Sequence, residues 1–236
     1  MEKVRLNKYL SSLGIGSRRE IDSLVENGKI LVNGTKPLVG TKVDENDEII
    51  VKGKNIGKKK PEKLYYLLNK PLNVLSSVKD DRGRKTVVEL IDTKERIFPI
   101  GRLDYNTTGL LILTNDGELF NRLIHPRSEI YKKYLVETLG FINENKKYML
   151  ENGILLDDGM TLPAKVNVLL ASKQKSILEI SIREGRNRQV RRMMEKLGNR
   201  VINLKRESVG DLSVENLKEG EYRKLTLKEI KYLQSL

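Results

Sequence analysis

Two stretches of this chain concentrate side chains that could do chemistry. The first is residues 100–117, IGRLDYNTTGLLILTNDG, in which Asp104 lies in a polar loop bounded by Gly101 and Gly109, with Arg102 two residues ahead of it. A carboxylate held beside an arginine is stabilised as the anion, the form that attacks an electrophilic carbon. An isolated aspartate in such a place more often only caps a turn, so Asp104 needs a wider context before it counts as a nucleophile. The second stretch, residues 183–206, carries nine basic and two acidic side chains, and most of the bases are arginine. Guanidinium forks hold phosphates bidentately and stack on bases, which suits a structured nucleic acid. Gly185 supplies a turn running into a helix start, whose backbone amides can face an anion. The bland alternative for any basic run is a solvated helical face.

Composition narrows the choice. The 236 residues include 45 Lys+Arg and 32 Asp+Glu, a net charge of +13, which points to a polyanionic partner. There is no cysteine, which excludes a disulfide framework, a thiolate metal site and a cysteine nucleophile. His125 is the single histidine, so mechanisms needing two imidazoles and most zinc chemistry are excluded as well. A metal-dependent nuclease would need clustered carboxylates, and near a motif the sequence offers Asp157-Asp158 and little else. Apolar runs such as residues 109–113 fall far short of the ~20 residues that cross a bilayer, and the opening residues lack the apolar core of a secretory leader. The expectation is a cytoplasmic protein with no membrane partner.

The elements that must position these side chains fall into two domains. Residues 52–63, KGKNIGKKKPEK, hold six lysines, two glycines and a proline and read as a solvated basic linker. Before it, residues 1–51 form a small module. Leu6, Leu10 and Leu13 recur at helical spacing up to Gly14, and Ser17-Arg-Arg-Glu20 is a capping box that opens a second helix ending at Asn27-Gly28. Residues 29–34 read as a strand entering an Asn-Gly hairpin turn, and residues 47–51 as a closing strand. In residues 64–236, strand-like runs at 64–68, 98–100, 110–114, 134–138, 164–170 and 177–182 outnumber helical stretches at 118–124, 144–152 and 187–197. Without regular alternation, they favour an α+β domain on a mixed, mainly antiparallel sheet.

Residues 101–119 closely resemble the signature of the RsuA/RluB-type ribosomal RNA pseudouridine synthases. Residues 67–71 (LLNKP), 81–87 (DRGRKTV), 125–126 (HP), 132–136 (KKYLV) and 184–193 (EGRNRQVRRM) resemble the family's other blocks, in order. The first 51 residues look like the S-four-type RNA-binding domain that this family carries ahead of its catalytic domain, so the resemblance spans essentially the whole chain. Such a chain of blocks is far more specific than one short pattern. The wording of residues 16–21 and 101–119 is closest to the large-subunit type B synthases, with a small-subunit 16S rRNA target as the near alternative.

The resemblance implies isomerisation of a specific uridine in ribosomal RNA, most closely 23S rRNA, with no cofactor and no metal. It places the catalytic aspartate on Asp104, acting covalently. It places the active-site tyrosine on Tyr134, where the ring would stack against uracil, although a strand tyrosine packed in the core is an equal reading. The aspartate's basic partner falls on Arg191, with Arg188 and Arg192 as rivals for the same place. Arg102 would contact the RNA or fill the space left by a flipped uridine. Arg186, Arg188 and Arg192 would bind RNA from the catalytic domain, and Arg5, Lys8, Arg18, Arg19 and Lys29 from the small module. His125 reads as structural or phosphate-facing. Asn73 stands where the family commonly has glycine, a position asparagine fills because it tolerates a left-handed backbone. The partner would be structured ribosomal RNA or an assembling subunit, met by a monomer. A non-catalytic RNA-binding assembly factor is the alternative from another class.

Overall fold

Caps and glycine stops delimit the first helices as the sequence predicts. In the computed structural model, which describes residues 3–57, 61–124 and 129–236, β1 (Val4–Arg5) leads into α1 (Leu6–Ser12), which buries Leu6, Tyr9 and Leu10. Helix α2 (Arg18–Glu26) opens on Ser17, whose hydroxyl accepts from the Glu20 amide while the Glu20 carboxylate accepts from the Ser17 amide. Behind the helices, β2 (Ile30–Val32), β4 (Ile49–Val51) and β5 (Lys54–Asn55) form an antiparallel sheet, and β3 (Lys42–Val43) pairs with β1. Leu10, Ile21, Ile30 and Val43 are fully buried at the centre of this core.

Two local expectations change. Asn33 and Gly34 do take the left-handed conformations of a hairpin turn, but that hairpin has a single rung, Val32 to Thr35. The long partner of β2 is β4, reached after a further excursion of chain. Likewise, β5 and the packing of Ile56 on the core extend the module past Val51 into residues read as linker. Two cross-strand pairs and one partly buried isoleucine outweigh the local lysine content. Lys58, Lys59 and Lys60 of that stretch lie outside the described residues.

The chain's contacts gather into two units, one of Met1–Leu64 with the short pieces Thr93–Ile97 and Asn115–Gly117, the other containing the remainder. The second unit is built on a nine-stranded sheet. Its strands are β6 (Tyr65–Lys70), β7 (Phe98–Ile100), β8 (Thr108–Thr114), β9 (Lys132–Leu139), β12 (Lys165–Ala171), β13 (Lys175–Ile182), β14 (Val201–Val209), β15 (Leu212–Ser213) and β16 (Tyr222–Lys224). A separate short hairpin joins β10 (Leu155–Leu156) to β11 (Gly159–Met160). The main path runs β12-β13-β9-β14-β8-β6-β16, antiparallel except where β14 lies parallel to β8. The α+β expectation on a mixed, mainly antiparallel sheet therefore holds.

Helices cover the sheet in two groups. On the β8 side, α3 (Gly117–Ile124) and α6 (Leu227–Ser235) bring Leu119, Leu123 and Leu233 against Leu67, Leu110 and Ile112. On the β9 side, α4 (Glu144–Asn152) and α5 (Gln189–Lys196) bring Leu150, Val190, Met193 and Met194 against Val136, Leu178 and Ile180. Strand β8 is buried along its whole length, matching its continuous apolar run, whereas β9 buries alternate residues and so presents one face to the core.

Candidate active site

Asp104 lies in the loop between β7 and β8, and the backbone of that loop is fixed at every step. Ser76 Oγ donates to the Leu103 carbonyl (2.8 Å) and accepts from the Leu103 amide (3.1 Å). The Asp104 carbonyl accepts from the Thr107 amide (3.1 Å), and the Tyr105 carbonyl from the Asn73 amide (2.9 Å). Arg191 Nη2 donates to the Asn106 carbonyl at 2.7 Å, and Lys70 Nζ to the Thr107 carbonyl at 2.9 Å. All five carbonyls from Leu103 to Thr107 thus have a donor. A side chain on a loop held this way would enter a reaction with little positioning entropy left to lose.

The carboxylate itself is left open. Asp104 is half-buried, and among the described residues none donates a hydrogen bond to its side chain. Two buried cations lie close enough to feel its charge. Lys70, the last residue of β6, is 0 % exposed, with Nζ bonded to the Pro71 and Thr107 carbonyls. Burial pushes its pKa down to about 8, opposed by the charges of Asp104 and Glu219. Arg191, on the inward face of α5, is pushed down by burial and by neighbouring Arg188, again opposed by Asp104.

The expected direct ion pair between Arg191 and Asp104 takes a different form here. Arg191 grips the loop through the Asn106 carbonyl and, at 3.4 Å, the Thr107 hydroxyl, and no ion pair within 4 Å joins it to the carboxylate. Its Nε is buried without a partner among the described residues. Between the three candidates for this place the geometry is plain. Arg191 points inward; Arg188 is exposed, in the left-handed N-cap of α5 (φ 48°); Arg192 is paired with Asp158 at 2.8 Å. Tyr134, on the core face of β9, is 9 % exposed and shares a hydrophobic cluster with Leu103, the neighbour of Asp104.

The residues expected to bind RNA divide into free and engaged. Arg102 and Arg188 are exposed. Arg186 is tied up instead, donating to Glu184, to Asp158 and to the Gly159 and Met160 carbonyls, so it clasps the β10–β11 hairpin. Asp158, of the Asp157-Asp158 pair, is thereby occupied by Arg186 and Arg192. Arg206, counted in the basic stretch, is buried with Nε on the Leu110 carbonyl. In the small module, Arg5, Lys8, Arg18, Arg19 and Lys29 are all exposed. His125 lies outside the described residues. Among the described residues, no group of three His, Cys, Asp or Glu side chains could hold a metal ion.

Sequence reasoning passed over Lys70, Asn73 as a loop anchor, and Ser76. The one legible signal was the NKP block of residues 69–71, where a lysine closes an otherwise apolar strand.

A carboxylate left open on an immobilised loop, in the field of two buried cations and in a chain of high positive charge, fits an enzyme that attacks a polyanion covalently. Comparison with known proteins gives that class its family. The profile of the RNA pseudouridylate synthases matches residues 64–196, and that of the S4 domain matches residues 4–49. Ribosomal large subunit pseudouridine synthase B of Bacillus subtilis is 45 % identical over 98 % of this chain and 96 % of its own length. The protein of the same description from Vibrio vulnificus is 36 % identical over 98 % of this chain and 75 % of its own. A crystal structure of a pseudouridylate synthase superposes with a TM-score of 0.71 at 33 % identity, covering 98 % of this chain and 99 % of that one. The chain belongs to the RNA pseudouridylate synthase family, with an S4 domain ahead of the catalytic domain.

Proposed function

We propose that this enzyme isomerises a uridine of 23S ribosomal RNA, with Asp104 as the covalent catalyst. The observation that carries the reading is the Asp104 loop, bonded through all five of its carbonyls while the carboxylate stays unengaged. Asp104 bonds to the ribose anomeric carbon as the bond to uracil N1 breaks. The freed uracil turns, its C5 bonds to the anomeric carbon, and the carboxylate leaves. C5 loses a proton and N1 gains one, so atoms and electrons balance without oxidant or water. Tyr134 packs against the uracil, and Arg191, with an unpartnered Nε, steadies the carboxylate as its charge is spent and restored. Arg102 occupies the gap left by the flipped nucleotide, which costs a few kcal/mol to extrude from a stack and less from a loop.

The large-subunit target is supported by the relatives of that description from Bacillus subtilis and Vibrio vulnificus. The test is to incubate the protein with 23S and 16S transcripts, and with precursor particles of each subunit, and to map pseudouridine. A single modified position in 23S RNA is expected. Modification confined to 16S RNA would move the target to the small subunit.

A further inference from the structure

Residues 76–85 form an arm rooted on the Asp104 loop. Ser76, at one end, makes both hydrogen bonds to Leu103. The arm closes where the Leu75 amide donates to the Lys85 carbonyl and the Val87 amide to the Leu75 carbonyl, each at 2.9 Å. Its tip is folded by one side chain. The Asp80 carboxylate, 10 % exposed, accepts from the Arg82 and Arg84 amides (both 3.0 Å) and from Arg84 Nε (3.2 Å) and Nη2 (2.7 Å). Arg84 holds the Asp80 carboxyl well below the usual carboxylate range, so this latch stays charged at any physiological pH. Arg84 is itself raised, chiefly by its bonds to Asp80.

With Arg84 neutralised, three exposed cations remain on the arm. Lys79 meets Asp81 only at 3.8 Å, with both side chains at least 80 % exposed, a pairing of little worth. Among the described residues, nothing pairs the side chains of Arg82 or Lys85. The latch therefore presents unpaired positive charge at a fixed place beside the catalytic loop.

We propose that this arm grips phosphodiesters of the RNA strand flanking the target uridine, with Lys79, Arg82 and Lys85 as donors and Asp80 as the positioning residue that shapes it. The proposal rests on the Asp104 reading only for where the arm stands relative to the chemistry.

Its test is the salt dependence of binding to a fluorescent 23S transcript, read without turnover. Each phosphate contact contributes about 0.7–0.9 to the slope of log affinity against log salt. Arg82→Ala/Lys85→Ala should flatten the slope by about 1.5. The control, Lys228→Ala/Lys231→Ala, removes two exposed lysines of α6 and should leave the slope near the wild-type value. Equal slopes in wild type and arm variant, or an equal fall in the control, would overturn the proposal. Asp80→Asn keeps every cation and should weaken binding severalfold at an unchanged melting temperature. A lowered melting temperature with unchanged affinity would instead confine Asp80 to stability. An inactive wild type would sink the Asp104 reading without touching these outcomes.

Discussion

Lys70 places an ammonium where the fold gains least from one, and that placement has a measurable consequence. Its folded pKa of about 8 lies below the ordinary 10.5, so between those pH values the unfolded chain holds more protons. Stability should therefore rise with pH through that window, the full penalty of the buried charge being present below pH 8. Against a Lys70→Met variant, which cannot titrate, the wild type should gain on the order of 3 kcal/mol between pH 8 and 10.5, measured by denaturant unfolding of both proteins. Arg191 is the matching case for catalysis. Arg191→Ala releases the Asn106 carbonyl and should lower turnover by about 100-fold, the scale of a small misplacement of a reacting group, while changing the salt slope of RNA binding by less than one contact. At this scale the sequence marked the loop that holds Asp104, and Asn73, whose left-handed backbone (φ 60°) puts its amide on the Tyr105 carbonyl. It marked Lys70 only by its place at the end of a mostly apolar strand, and that pattern does not tell that the ammonium is buried on two carbonyls.

Among the elements, the parallel junction of β8 with β14 carries the site. It sets Gly109, at the end of the Asp104 loop, opposite Arg206. Gly109 has φ +109°, and a Cβ built there would lie 2.6 Å from the Arg206 amide nitrogen and nearer still to its carbonyl. Gly109→Ala combines a forbidden backbone conformation with an overlap against main chain and should cost roughly 3 kcal/mol or more, read as a fall in melting temperature. Most elements were legible where the pattern was local: the capping box of α2, the strand-like run of β9 and the apolar run of β8. Strand β14 was not, because its inward positions include Arg206 and its sequence lies inside the basic stretch. Long-range pairing with β9 and β8, invisible to a local window, makes it a strand.

For the molecule as a whole, the net charge of +13 resolves into unlike parts. In residues 183–206, Arg191 and Arg206 face inward, Arg186 and Arg192 hold Asp158, and Arg188 is exposed, so the densest run of charge is largely structural. If RNA binding draws on exposed charge, the exposed cations of the S4 domain should carry a larger share of affinity than the count suggests. Arg18→Ala/Arg19→Ala should raise the KM for 23S RNA and flatten the salt slope of binding by about 1.5. On the proposed mechanism, one carboxylate performs the isomerisation. The most direct test of this compares wild type with Asp104→Asn on 23S RNA, scoring pseudouridine by nucleotide-resolution mapping and RNA binding on the same samples. One modified uridine is expected with the wild type, none with the variant, and comparable binding by both. Pseudouridine formed equally by both proteins would contradict that mechanism.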